Sequence, residues 1–519
     1  MNKRSNRIHN TKRNIIFGFL QYVMSQLLPF IVRSIIIYRF GVDYLGLNSL
    51  FTSILSVLSL MELGFGTAVV YCMYKPVSEE DTDLICAYLS VYRKTYRRIG
   101  LMILFVGLLM MPFLNHFVRD PSIPGDLNLY FCYLIFLSNS VVSYLLYGYM
   151  TAIPIAYQRR DVLSRVDMVI TLIRCFIQSL VLLMSKNYYL YLVTIPGFTV
   201  VSNLCTAYIV KRLYPNLKCK GNLLPNQKTD LRRKVYGLLI NKLTIVSRNS
   251  IDSFCISMFL GLTATGIYNN YFFVMTAVIS FLGIICGSMI PSVGNSIASE
   301  SIEKNYRDMR LFDFIYMVVA GWGTVCLLCL YQGFIVVWIG KSMILEMPVV
   351  IALCAYFYIL KFGDIRWVYH EAAGLWWETW PVLLGESIAN IVLNVILCKY
   401  WGVMGIVLAT VLSVFTTNCL LCPAQMFRLY FGKEKLKEYW TDHAYYAFTM
   451  LLSAVVSWLL CESIFPDDMN DGILLNGFIC LGGRLLVCTV VSFAVFWIIW
   501  HRSRKYSDAK QWILKLKKA

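Results

Sequence analysis

Seven basic residues of this 519-residue chain stand inside long apolar stretches: Arg33, Arg174, Lys242, Arg248, Lys361, Arg366 and Arg484. A charge at mid-bilayer costs between about 2.5 and well over 10 kcal/mol, so a membrane chain keeps one only where it meets a partner or a wet cavity. The carboxylates sharing those stretches are Glu62, Asp252, Asp364, Glu371 and Glu386, which leaves a modest excess of positive charge. Spacing then sorts the cations. Arg248 with Asp252 and Lys361 with Asp364 are one helical turn apart and able to neutralise each other. Arg33 and Arg174 have no acid one turn away on their own segments, although Glu62 on the neighbouring segment could claim Arg33. Unneutralised cations in a shielded cavity bind anions, and guanidinium suits phosphate because its planar fork takes two oxygens at once and stays charged.

These residues need helices to line them up. At the helical period, Tyr22, Ser25, Gln26, Pro29 and Arg33 fall within roughly a 100° arc. Asn48, Thr52, Ser56, Ser59 and Glu62 form a second line, and as hairpin neighbours the two lines could face each other. Asn241, Lys242, Arg248, Asn249 and Asp252 share an arc further on, as do Thr171, Arg174 and Gln178. Lys361, Asp364 and Glu371 share a face from which Arg366 points away. The candidate substrate contacts are therefore Gln26, Arg33, Asn48, Glu62, Arg174, Lys242, Arg248, Asn249, Asp252 and Lys361. Hydroxyls such as Ser53, Ser56 and Ser59 are assigned instead to holding helices together.

Composition says what kind of helices these are. The chain is 58% hydrophobic and 15% charged, with a mean hydropathy of +0.63. A soluble domain averages roughly 45–50% and 25%, so this is an all-α polytopic membrane protein. Stretches of about 20 apolar residues mark spans. Fourteen are expected, at 14–38, 45–73, 99–118, 127–151, 162–184, 188–210, 235–259, 264–298, 311–337, 347–371, 379–399, 402–427, 444–464 and 473–500. The net charge of +18 follows from topology. With both termini cytoplasmic, inward segments hold 35 of the 47 basic residues and outward ones only Arg39, Arg119, Lys186, Lys341 and Lys399. Basic residues beside every inward loop, rather than on one patch, argue against nucleic acid. The stretch 428–440 and the tail around Trp512 read as surface-lying amphipathic pieces that meet membrane lipids.

Enzyme chemistry finds little support. His9, His116, His370, His443 and His501 are scattered, no metal-ligand spacing or phosphate-binding glycine loop is visible, and the short outward connections leave no room for a catalytic domain. The 17 cysteines sit mostly in apolar stretches; the pairs Cys326/Cys329 and Cys419/Cys422 read as small buried hydrophobes, and no cofactor is expected. The basic start, Met1 to Arg13, runs straight into an apolar segment without a small-residue cleavage site, which predicts no signal peptide.

The chain also repeats itself. Gly41 and Gly46, in Phe40-Gly-Val-Asp-Tyr-Leu-Gly-Leu-Asn48, return 220 residues later as Gly261 and Gly266, in Leu260-Gly-Leu-Thr-Ala-Thr-Gly-Ile-Tyr-Asn269. Duplicated halves are a common transporter plan. Gly41 to Phe51, Leu60 to Ala68 with Tyr74-Lys-Pro76, and Cys255 to Tyr271 together resemble the polysaccharide-transporter (oligosaccharide flippase, Wzx-like) branch of the multidrug/oligosaccharidyl-lipid/polysaccharide exporter superfamily. The resemblance is strong only in these regions and extends to the whole chain in helix count. It implies two six-helix lobes, 1–210 and 235–427, joined by a basic link at 211–234, then an amphipathic link at 428–443, two further helices at 444–500 and a basic tail at 501–519. It also implies an inner-membrane flippase for an oligosaccharide carried on polyprenyl pyrophosphate, with glycosyltransferases and a polymerase of the same pathway as partners.

The intramembrane cations fit that expectation, because a diphosphate head group brings about two negative charges that lipid cannot accommodate. Tyr22, Gln26, Asn48, Asn241, Asn249, Asn269 and Asn270 are available to sugars, and an inside-negative potential would assist outward anion movement by about 2.3 kcal/mol per charge per 100 mV. Rocking of spans 1–6 against spans 7–12 around a wet cavity is the expected mechanism. The alternatives are an ion-coupled multidrug antiporter of the same superfamily and a membrane glycosyltransferase or polymerase. The first expected span has no Asp or Glu, which weighs against cationic drugs, while H+ or Na+ coupling stays open with Asp252 and Glu62 as its candidate sites.

Overall fold

The computed structural model describes residues 3–62, 64–117, 124–157, 159–185, 187–465 and 474–518; side chains are described at most of these, the main exceptions being 3–16 and 237–249. Helices account for almost all of it, with no strand among the described residues. The chain divides into two compact units, Met1–Gly266 and Ile267–Ala519. The first holds α1 Lys3–Arg39, α2 Val42–Leu58, α3 Phe65–Glu79, α4 Thr82–Met110, α5 Leu114–Phe117, α6 Leu129–Leu145, α7 Ala152–Ala156, α8 Arg160–Met184, α9 Tyr188–Leu213 and α10 Pro225–Leu260. From the end of the first unit α11 Leu262–Ser299 leads into the second. There follow α12 Ile302–Ile339, α13 Met347–Lys361, α14 Asp364–Ala372, α15 Trp376–Val414, α16 Cys422–Met426, α17 Leu436–Ile464, α18 Leu474–Trp500 and α19 Arg504–Lys518.

Short polar side chains start the helices where the apolar runs begin. Asp81, Asn128 and Asn187 accept from the amides of Leu84 (2.9 Å), Phe131 (3.1 Å) and Tyr189 (2.9 Å), satisfying donors that the first turn leaves open. Large apolar side chains on the outer faces stay uncovered, Phe176 and Met184 on α8 and Phe448 on α17 among them. In water that would be costly; toward lipid it is the favourable arrangement.

Ten helices among the described residues are long and apolar enough to cross a membrane, or eleven if the bent pair Leu129–Leu145 and Gly148–Ala156 is one span. One of the ten, Glu378–Phe431, carries two expected spans. At Gly402 the backbone turns to φ 55°, and Asn390 donates to Thr410 (3.1 Å) and Ser413 (3.2 Å), so the two halves lie antiparallel about that glycine. The expected span at 45–73 is broken: α2 ends in a 3-10 turn at Ser59–Glu62, and α3 starts only after Gly64. Within the first unit α1 and α8 pack side by side in the same direction. Arg165 lies over the Phe17 ring at 4.1 Å, and further along both helices, ten residues on in α8 and eleven in α1, the Cys175 thiol meets the Leu28 carbonyl at 3.6 Å. Two spans that enter from one face of a membrane must run this way.

The glycine repeat is a packing device. Gly41 and Gly261 hold φ of 110° and 96°, a backbone region that favours glycine, and turn the chain into α2 and α11. Gly46 and Gly266 allow those helix starts to touch: a Cβ on Gly46 would stand 2.8 Å from the Leu262 carbonyl carbon, and one on Gly266 would stand 2.7 Å from the Val42 oxygen. Between them Thr263 donates a hydrogen bond to Asp43, so equivalent positions of the two copies meet across a local two-fold.

Two expectations about elements are corrected. The stretch 428–443 is not a separate surface helix, because from Leu436 it is the first two turns of α17. Arg310 of α12 fixes it there through the buried Asp442 (2.8 Å) and the more exposed Glu438. The tail is helical as expected, but Trp512 packs edge-on against Phe312 of α12, with ring centroids 5.6 Å apart.

Candidate functional site

Inside the first unit the polar groups gather where α1, α2, α8 and α9 approach one another. Asn48 of α2 donates from Nδ2 to the Tyr188 hydroxyl at 2.6 Å, and that hydroxyl reaches the Tyr44 carbonyl at 3.5 Å. The Tyr188 ring stacks edgewise among Tyr44, Phe40 and Tyr191, with centroids 4.8, 5.2 and 5.3 Å away. Tyr191, three residues on and therefore on the same face of α9, is buried, and its phenol lies within electrostatic range of both Arg33 and Arg174. Lower on the same pair of helices Gln178 donates to Thr194 at 3.0 Å. The two guanidinium groups that the sequence singles out thus come from different helices, and the charge of each is felt at one buried tyrosine. Arg174 also has Asp167 in electrostatic range, two turns earlier on α8.

Gln26 is half-buried on α1. Glu62 does not belong with Arg33. Its carboxylate accepts from Tyr144 (2.7 Å) and from Tyr96, which in turn receives the Tyr92 hydroxyl at 2.9 Å. The 3-10 turn at Ser59–Glu62 swings the acid off the helical line that would have set it beside Asn48. The hydroxyls between them turn back onto their own helix, Thr52 to the Asn48 carbonyl at 2.7 Å and Ser56 to that of Thr52 at 2.8 Å. Asp252 is buried on α10, as are Ser253 and Ser257. The side chains of Asn241, Lys242, Arg248 and Asn249, also on α10, lie outside the described residues.

Lys361 belongs to the second unit and is neutralised there. It is buried and pairs with Asp364 at 2.6 Å, while the same carboxylate receives the Tyr316 hydroxyl. Tyr316 also borders an apolar cavity of about 370 Å³ formed with Ile285, Met289, Phe312 and Trp512. Arg366, fully buried, donates to Asn418 at 2.8 Å.

Of the ten candidate contacts, the structure therefore brings Arg33, Arg174 and Asn48 into one neighbourhood and holds Glu62 and Lys361 with other partners. The tyrosines that organise both clusters escaped the sequence reading. Tyr188 and Tyr191 stand at the start of an apolar run, where aromatic residues are expected simply as interfacial anchors. Their i, i+3 spacing beside Asn187 was the one available signal.

No family model matches the chain. An uncharacterized membrane protein of Methanocaldococcus jannaschii is 20% identical over 507 residues, covering 93% of this chain and 94% of that protein. Among solved structures, the lipid II flippase MurJ in an inward closed conformation superposes with a TM-score of 0.65 at 15% identity, over 94% of this chain and 99% of that one. An inward-facing multidrug resistance transporter of the MATE family gives 0.62 at 12% identity, over 80% and 96%. A transporter of the same superfamily from Pyrococcus furiosus gives 0.54 at 10% identity, over 82% and 96%. The fold is that of the multidrug/oligosaccharidyl-lipid/polysaccharide exporter transporters. Likeness at these identities fixes the arrangement of helices and leaves the chemistry to the residues described above.

Proposed function

We propose that the chain is a flippase that moves a polyprenyl-pyrophosphate-linked oligosaccharide across the cytoplasmic membrane for surface polysaccharide synthesis. The observation that carries this reading is the Asn48–Tyr188 hydrogen bond beside the buried Tyr191, with the charges of Arg33 from α1 and Arg174 from α8 in the surroundings of that tyrosine. Two guanidinium groups from facing helices would provide fixed positive charge and donors for a diphosphate, and the amide and phenols of Asn48, Tyr188 and Tyr191 suit sugar hydroxyls. The name of one structural neighbour, a lipid II flippase, supports a lipid-linked substrate. The same-direction packing of α1 and α8 supports the expected helix count between them, and the excess of basic residues in the segments of one side supports the topology with both termini cytoplasmic. Release to the outer face would require the glycine contact between 41–46 and 261–266 to open, which makes that contact the gate of an alternating-access cycle. Any coupling to H+ or Na+ would fall to Asp252 of the two candidate sites, because the Glu62 carboxylate is taken up by Tyr96 and Tyr144.

The test is flipping of a fluorescent polyprenyl-pyrophosphate oligosaccharide by the purified chain in liposomes. Loss of a charge-assisted contact of about 1.5–3 kcal/mol should lower the rate roughly tenfold or more in Arg33→Ala and in Arg174→Ala, with partial recovery in the lysine variants. Wild-type rates in both alanine variants would remove the site. Transport of a cationic drug, unaffected by these changes, would favour the antiporter.

A further inference from the structure

The second unit contains a cluster of thiols unconnected with the transport site. Cys329 of α12, Cys461 of α17 and Cys488 of α18 are buried, and their three sulfurs all lie within 4.8 Å of one another. Cys326, one turn before Cys329, packs against the same group. Arg484 closes one side. It is 3% exposed, donates to the Cys329 carbonyl at 3.4 Å, and its own carbonyl receives the Cys461 thiol at 3.9 Å.

We propose that Cys329, Cys461 and Cys488 bind one thiophilic divalent metal ion, zinc being the type case, with Cys326 beside the fourth coordination position. Zinc–sulfur bonds of about 2.3 Å in tetrahedral geometry place sulfurs about 3.8 Å apart, so side-chain rotations of under an ångström complete the site. Binding releases three protons to water and joins three thiolates to one Zn2+, giving a centre of charge −1. The Arg484 guanidinium, which donates to the Cys329 carbonyl and also approaches Glu462 at 3.9 Å, offsets part of that charge inside the bundle. Beside its pairing with Glu462, the arginine thus stands where thiolate charge would need an offset that the surrounding Val325 and Ala454 cannot supply. Three helices distant in sequence would be pinned by one ion, and zinc suits such a structural role because it has no redox chemistry.

Full-length protein in detergent, equilibrated with zinc and washed, tests this by elemental analysis and by peptide-resolved alkylation with N-ethylmaleimide. The expected result is one zinc per chain, with alkylation of Cys329, Cys461 and Cys488 slowed about tenfold or more relative to chelator-treated protein, because bound sulfur is not a free nucleophile. Cys205 and Cys286, outside the cluster, should alkylate at equal rates in both samples. The double variant Cys461→Ser/Cys488→Ser should carry no zinc; if it fails to fold, protection in the wild-type chain decides the matter alone. Wild-type protein that takes up no zinc, thiols that react equally with and without it, or a disulfide within the cluster in protein purified without reductant would each overturn the site. Flipping rates do not enter the readout, so it stands or falls apart from the transport reading.

Discussion

Replacing Gly46 with alanine probes the contact on which the repeat is built. The new methyl would stand 2.8 Å from the Leu262 carbonyl carbon and 3.1 Å from its Cα, where carbon atoms settle at about 3.5–4.0 Å. Both obstacles are backbone at a helix start, so no side chain can swing aside and the two links must part by roughly 0.5–1 Å. Overpacking of this kind costs about 1–3 kcal/mol, and separation also weakens the Thr263–Asp43 hydrogen bond, worth about 1 kcal/mol. A total of at least about 2 kcal/mol shifts the balance between joined and parted links by about thirtyfold or more. Hydrogen exchange read by mass spectrometry on peptides covering 40–48 and 260–268 measures that balance directly. Faster exchange confined to those two peptides is the expected outcome, and Gly266→Ala should reproduce it, because its methyl meets the Val42 oxygen at 2.7 Å. Exchange equal to wild type, or acceleration spread evenly over the chain, would refute the idea that the glycines exist to let these links touch.

Two further substitutions test the charges that the structure assigns to architecture. Glu62→Leu leaves the Tyr96 and Tyr144 hydroxyls without their shared acceptor and should lower stability by about 1–3 kcal/mol, seen as a reduced melting temperature in detergent, with Glu62→Gln milder; an unchanged melting temperature would contradict the cage. Asp161, fully buried at the start of α8, is bound by Arg159 (2.9 Å) and Arg165 (3.2 Å). Because both arginines keep partial contact with water, Asp161→Asn should cost about 1–3 kcal/mol rather than the 3–5 of a fully enclosed pair, and a loss below measurement in thermal unfolding would show the cluster to be decorative.

The membrane class, the helices and the repeat were legible in the residues because each is a one-dimensional property. Apolar length decides whether a helix can cross lipid, and glycines spaced alike in two halves mark two equivalent turns. The broken second span shows where this stops. Ser59 and Glu62 follow the helical period perfectly well in sequence, yet the chain tightens there into a 3-10 turn and delivers Glu62 to Tyr96 and Tyr144, residues contributed by α4 and α6. Pairing is likewise invisible wherever the partner is remote: Lys361 meets an acid three residues away and could be read, whereas Asn48 finds Tyr188 140 residues further on. The cysteines make the same point most strongly. Sequence places Cys326 and Cys329 on one apolar helix face, which is true, and only the packing of α12 against α17 and α18 brings Cys461 and Cys488 to them, since whether a thiol is filler or ligand depends on what stands within a bond length or two in space.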